Sequence, residues 1–177
     1  FDSIDHSILK SLISKSIKDE NINWLIEKVI GSFRSENGDD KGIPLGNLTS
    51  QIFANIYMNE FDQFIKHELY VKNYARYTDD FVIIANSRSY LEQLLPSIEM
   101  FLDGHLGLSL HPKKVSIEPC HRGLDFLGYI IFPHHRFVRT RTRKRAFFKL
   151  RKRAQEYKDE LRSEKSLYQV LYSYLGV

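Results

Sequence analysis

The chain has 177 residues, 42% of them hydrophobic and 27% charged, with a formal net charge of +4. That is enough chain for a sizeable core, and the balance argues against disorder. The absence of any apolar run long enough to cross a bilayer excludes a membrane-spanning helix, so no membrane partner is expected; the one cysteine, Cys120, excludes an internal disulfide framework and fits a reducing, cytoplasmic setting.

In chain order, Asp5 can cap a helix over 6–16 with Ile8, Leu9, Leu12 and Ile13 on one face. A second helix is predicted over 23–33, carrying Trp24, Leu25, Ile26, Val29 and Ile30. Residues 35–46 are rich in turn formers and read as a loop or a β-hairpin tip. A helical pattern runs from Asn47 to about Glu68, with Leu48, Ile52, Ile56, Phe61, Phe64 and Ile65 as its apolar stripe. Val71, Tyr74 and Ala75 then precede Tyr77-Thr78-Asp79-Asp80, and Phe81 to Ala85 follow it, which predicts strand, tight turn, strand. A helix over 89–106 is capped by Ser87 or Ser89 and stopped by Gly104 or Gly107. Short strands are expected over 108–110, 114–118, 124–132 and 137–139. A basic helix over 140–162 and a short helix over 166–175 come last. The order predicts an α+β fold: a small antiparallel sheet with helices packed on one face.

The chemistry concentrates in two places. Asp79 and Asp80 are adjacent carboxylates at a hairpin tip and repel each other unless cations neutralise them. Such hard oxygen ligands suit Mg²⁺, and a pair of these ions serves phosphoryl transfer. The alternative is a plain polar turn, where Asp is common. Residues 133–165 hold 13 Lys and Arg against 4 acids, half of the chain's 26 basic residues. That predicts a polyanionic partner or, alternatively, a well-solvated helix. Cys120-His121 and His134-His135 lack a zinc spacing, and no Gly-rich phosphate loop or nucleophile triad is evident.

Several blocks together carry a resemblance. Phe1 to His6, Gly42 to Gln51 running into Ala54-Asn55-Ile56-Tyr57, Tyr77 to Asp80, Gly107 to Lys114, and Phe126-Leu127-Gly128-Tyr129 stand in one order, and Ser173 to Gly176 follows. In that order they resemble the palm and early thumb of reverse transcriptases of the bacterial group II intron-like lineage. The resemblance implies a polymerase palm over 1–135, incomplete at its N-terminus and without fingers, and the truncated start of a helical thumb over 136–177. Leu45-Gly46-Asn47-Leu48-Thr49-Ser50-Gln51 departs from the Gln-Gly-x-x-x-Ser-Pro form of most group II intron enzymes. It is similar to the form in diversity-generating retroelements, whose enzymes copy RNA with frequent errors at adenine. Retron, group II intron and defence-associated enzymes are the alternatives within the class. A catalytically inactive, RNA-binding palm fragment is the alternative outside it.

The resemblance also implies roles. Asp79 and Asp80 would be metal ligands and catalytic residues for two Mg²⁺ ions, with Mn²⁺ as a substitute. Lys114 would stand near the leaving pyrophosphate, or be a solvated hairpin lysine. Phe1 would exclude a ribose 2′-hydroxyl, or be a core residue. Pro44, Leu45 and Gly46 would approach the incoming nucleotide. Leu45 replaces a glutamine whose amide can bond that nucleotide, which suggests looser selection, unless the side chain only packs. Tyr77 would pack under the turn or against the primer end. Ser50, Gln51, Leu127, Gly128, Arg141, Arg143, Lys144 and Arg145 would contact primer and template, the basic residues through phosphates. The implied partners are template RNA, a DNA or RNA primer, deoxynucleoside triphosphates and a small basic accessory protein. The first-motif aspartate of the family would precede Phe1, so the given chain is expected to be inactive alone.

Overall fold

The structure, a computed structural model, describes residues 3–32, 40–43 and 48–175. They form two compact units that divide between Ile117 and Glu118. The second unit takes a small sheet together with the basic helix.

The first unit is mostly helical. Helix α1 (His6–Ser16) starts where the Asp5 carboxylate accepts bonds from the Ser7 and Ile8 amides. These bonds satisfy donors that a helix start leaves unpaired. Helix α2 (Glu20–Gly31) begins earlier than expected because Asp19 caps it through the Ile22 amide. Asp5 also bridges Lys41, and the Gly42 amide bonds Ile4 O at 2.7 Å. Helix α3 (Leu48–Gln63) passes into a π-helical turn, Phe64–Glu68. A two-stranded antiparallel hairpin follows, β1 (Tyr74–Tyr77) and β2 (Asp80–Ile83). Helix α4 (Arg88–Leu106) is capped by Ser87 and ended by Gly107 at φ 56°.

The core sits where α1, α3 and α4 meet. Leu9, Ile13, Phe53, Tyr57, Phe61, Ile98, Phe101, Leu102 and Leu106 are buried there. The stripe expected on this segment holds in its second half, where Phe61, Phe64 and Ile65 are buried, and is displaced in its first. Leu48 and Ile52 are exposed and Ile56 half-buried, while Ser50, Phe53, Tyr57 and Phe61 face inward. The row of large rings buries more apolar area than the row of aliphatics beside it, so the helix turns that way.

Tyr57 ties three parts of the unit together. Its hydroxyl donates to Leu106 O at 2.5 Å and accepts from the Asp5 amide at 3.4 Å. Burial pushes the phenol up to about 12. The end of α4 and the cap of α1 are thus pinned to the middle of α3.

The second unit holds a three-stranded antiparallel sheet in the order β3 (Leu124–Phe126), β4 (Tyr129–Ile131), β5 (Arg136–Val138). Helices α5 (Thr140–Lys158) and α6 (Glu164–Leu175) follow. The single strand expected over 124–132 is a hairpin: Phe126 pairs with Tyr129 across Leu127 and Gly128. Both loop residues have positive φ, 51° and 83°, the backbone that a two-residue turn between twisted strands requires. Residues 108–110 and 114–118 are not strands, since no described strand pairs with them. Helix α5 stops short of Arg162, with Glu160 left-handed at φ 59°. The α+β expectation holds, with the sheet in two pieces.

Candidate active site

The hairpin β1–β2 presents the two carboxylates. Its register pairs Tyr74 with Ile83, Arg76 with Phe81 and Tyr77 with Asp80, leaving Thr78 and Asp79 as the loop. Phe81 meets Phe61 of α3 edge-on at 5.0 Å between ring centres, and Tyr74 meets Phe61 at 6.1 Å. Tyr74 and Arg76 are the less exposed side chains of β1, so alternation puts Ala75 and Tyr77 outward. Asp79 and Asp80 are both exposed, and Tyr77 beside them is 60% exposed.

Thr78 has φ 54°. A left-handed backbone is rare for a β-branched residue and costs about 1–2 kcal/mol, so it persists only where neighbours hold it. The neighbours are visible. Arg76 Nη1 donates to Thr78 O at 2.7 Å. The same guanidinium grips Asp62 of α3, Nε to Oδ1 at 2.8 Å and Nη2 to Oδ2 at 2.6 Å. Tyr74 donates its hydroxyl to Asp62 Oδ1 at 2.6 Å. Thr78 Oγ1 donates to Asp79 Oδ1 at 2.9 Å. Burial pushes the Asp62 carboxyl up, but the bonds from Arg76 and Tyr74 outweigh it and hold it below the ordinary carboxylate range. The bond to Asp62 raises Arg76, and burial raises Tyr74 well above the usual phenol range. All three therefore keep one charge state at neutral pH.

Sequence reasoning missed Asp62 and Arg76. They lie 14 positions apart on different elements, and no local pattern pairs them. The available signal was Arg76 itself, an arginine with its side chain on the inner face of a half-buried strand.

The turn offers a metal two hard oxygen donors. Among the described residues no Lys, Arg or His forms an ion pair with Asp79 or Asp80. No group of three His, Cys, Asp or Glu converges among the described residues. Two exposed carboxylates without an ion-pair partner among the described residues fit Mg²⁺, which completes its shell with water and substrate phosphates.

The other expected site residues fall as follows. Lys114 is exposed, in a turn where its amide bonds His111 O at 2.8 Å, and no bond joins it to the aspartates. Ser50 is buried, its Oγ without a hydrogen-bond partner among the described residues, while Gln51 is exposed. In the second unit, Leu127 and Gly128 form the β3–β4 tip, and Gly128 O accepts from the Arg139 amide at 2.8 Å. Arg141, Arg143, Lys144 and Arg145 are exposed on α5, with Phe147 and Phe148 also exposed. Phe1, Pro44, Leu45 and Gly46 lie outside the described residues.

Residues 1–131 match the family described as reverse transcriptase (RNA-dependent DNA polymerase). The chain belongs to the reverse transcriptase family. Among curated relatives, Protein YkfC of Escherichia coli (strain K12) is 28% identical over 183 residues, covering 81% of this chain and 45% of YkfC. Group II intron-encoded protein LtrA of Lactococcus lactis subsp. cremoris is 39% identical over 69 residues, 37% of this chain and 12% of LtrA. The uncharacterized 91 kDa protein in cob intron of Schizosaccharomyces pombe is 41% identical over 71 residues, 38% of this chain and 9% of that protein. This reverse transcriptase chain thus spans less than half the length of the curated relatives it matches. The expected kinship with the group II intron-like lineage agrees with these relatives. Helices α5 and α6 lie beyond the matched residues.

Proposed function

We propose that the protein carrying this chain is an RNA-directed DNA polymerase that extends a primer by two-metal phosphoryl transfer. The observation that carries this reading is the braced turn: Asp79 and Asp80 stand exposed, without an ion-pair partner among the described residues, on a hairpin clamped to the core. In the reaction the primer 3′-oxygen bonds the α-phosphorus, the bond to pyrophosphate breaks, and the hydroxyl proton is lost. Two Mg²⁺ ions, when bound, supply an activated hydroxyl and a stabilised leaving group, and Mn²⁺ substitutes. Asp79 is the firmer ligand, and Asp80 stands nearer the primer terminus. Lys114 donates to or stabilises the pyrophosphate. Phe1, Pro44, Leu45 and Gly46 shape the nucleotide pocket, and Tyr77 and Gln51 face primer and template; Ser50, buried on the inner face of α3, is withdrawn from that contact. Residues 1–135 act as palm, with Leu127 and Gly128 as primer grip. From 136 the thumb begins, with Arg141, Arg143, Lys144 and Arg145 on duplex phosphates.

The form Leu45-Gly46-Asn47-Leu48-Thr49-Ser50-Gln51 supports error-prone synthesis in a diversity-generating retroelement, with a small basic accessory protein as partner. A second reading, a group II intron enzyme, is favoured by the 39% identity to LtrA.

The test is primer extension on RNA with Mg²⁺ by the whole protein, beside Asp79→Asn, with the cDNA sequenced. Extension lost in the variant supports the polymerase, and errors at template adenines support the retroelement. Accurate extension moves the protein to the second reading. A folded, RNA-binding wild type that extends nothing would leave a catalytically inactive binding module.

A further inference from the structure

We infer that Arg76 is a positioning residue for the metal-binding turn: it links Asp62 of α3 to the Thr78 carbonyl and so sets where the Asp79 carboxylate points. The inference rests on the polymerase reading of that turn. Four contacts in series carry it. Asp62 takes both forks of the guanidinium at 2.8 and 2.6 Å. The third nitrogen reaches Thr78 O at 2.7 Å. Thr78 is held at φ 54°, and its hydroxyl donates to Asp79 Oδ1 at 2.9 Å. Tyr74 fixes the other end by donating to Asp62 Oδ1 at 2.6 Å. The Arg76 side chain is only 10% exposed, so water cannot readily replace these bonds.

The geometry separates two tasks. The grip on Asp62 holds strand to helix, which any cation of suitable reach partly supplies. The bond to Thr78 O needs a planar fork with a nitrogen to spare, and a lysine ammonium engaged with Asp62 lacks that reach. The Arg76 guanidinium bonds Asp62 and Thr78 O and not the carboxylate of Asp79, so its effect passes through the turn. Partners that orient metal ligands are worth roughly ten- to a hundred-fold in metal affinity or rate when removed.

The whole protein is compared with Arg76→Lys, Arg76→Gln and Thr78→Val, with Asp79→Asn as reference. Mn²⁺ binding in the presence of primer–template and deoxynucleotide is read by electron paramagnetic resonance, alongside melting temperature, kcat and KM. Arg76→Lys is expected to melt near the wild type yet bind Mn²⁺ about ten-fold more weakly, with kcat falling in step and deoxynucleotide KM little changed. Thr78→Val should shift Mn²⁺ affinity in the same direction. Arg76→Gln should lose both stability and metal affinity. Folded Arg76→Lys with wild-type Mn²⁺ affinity would overturn the inference while leaving the polymerase reading intact. A wild type that binds Mn²⁺ no better than Asp79→Asn would overturn both.

Discussion

Replacing Tyr57 with phenylalanine tests the architecture that holds α1, α3 and α4 of the first unit together. The substitution removes one oxygen from a fully buried ring and leaves its packing in place. The lost atom donates to Leu106 O and accepts from the Asp5 amide. The second bond, at 3.4 Å, is weak and contributes little. The first is short, and its carbonyl belongs to a residue only 1% exposed. A carbonyl stranded there bears most of its desolvation cost, so the loss should be about 2 kcal/mol. For a chain of this size that lowers Tm by roughly 4–8 °C. Denaturant unfolding of the whole protein, followed by circular dichroism, gives the energy directly. The alkaline arm gives a second, independent reading. A phenol raised to about 12 stabilises the folded state fully below its ordinary value near 10 and loses that contribution as pH rises from 10 towards 12. Tyr57→Phe should remove this part of the alkaline decline. A cost below about 0.5 kcal/mol with an unchanged alkaline arm would refute the reasoning, because a buried, singly partnered carbonyl cannot be abandoned so cheaply.

Asp62 governs the opposite end of the pH scale. Its depressed carboxyl contributes stability above the ordinary carboxylate value near 4 and loses it as pH falls through the lower, folded value. Asp62→Asn should therefore cost about 2–4 kcal/mol at pH 7, by leaving Arg76 without its counter-ion, and progressively less in acid. Urea titrations at pH 7, 4 and 3 measure the convergence, and a constant difference would contradict it. On α5, replacing Arg141, Arg143, Lys144 and Arg145 together with alanine should weaken primer–template binding and flatten the salt dependence. Each lost phosphate contact removes about 0.7–0.9 from the log–log slope. An unchanged slope in fluorescence anisotropy would remove these residues from the interface. If Leu45 borders the nucleotide pocket as proposed, Leu45→Gln supplies an amide there and should lower misincorporation at template adenines, as counted in sequenced cDNA. An unchanged error spectrum would leave Leu45 a packing residue.

Local chemistry made much of the chain legible. Asp5 and Ser87 cap their helices, and Gly107 ends α4, because these signals act within a few residues. The β1–β2 turn was legible for the same reason: apolar residues lead up to Tyr77 and resume at Phe81, so the polar residues between had to form the tip. The errors lie where two local readings compete. Residues 124–132 are apolar enough for one strand, but Leu127-Gly128 is also a loop pair, and pairing of Phe126 with Tyr129 chose the loop. On α3, two adjacent rows were both apolar, and contact with α1 and α4 selected the aromatic one.

The sequence by itself determined the main helices, the order of the motifs and the two carboxylates at the β1–β2 turn, since these depend on backbone preferences and side-chain period over a few neighbouring residues. Only the tertiary structure decided what holds that tip. The Asp62–Arg76 pair joins positions 14 apart, and the Tyr57 hydroxyl joins positions 49 and 52 apart. Partners at such separations follow from how α1, α3, α4 and the hairpin pack, because the short reach of a hydrogen bond admits only groups the fold has already brought together.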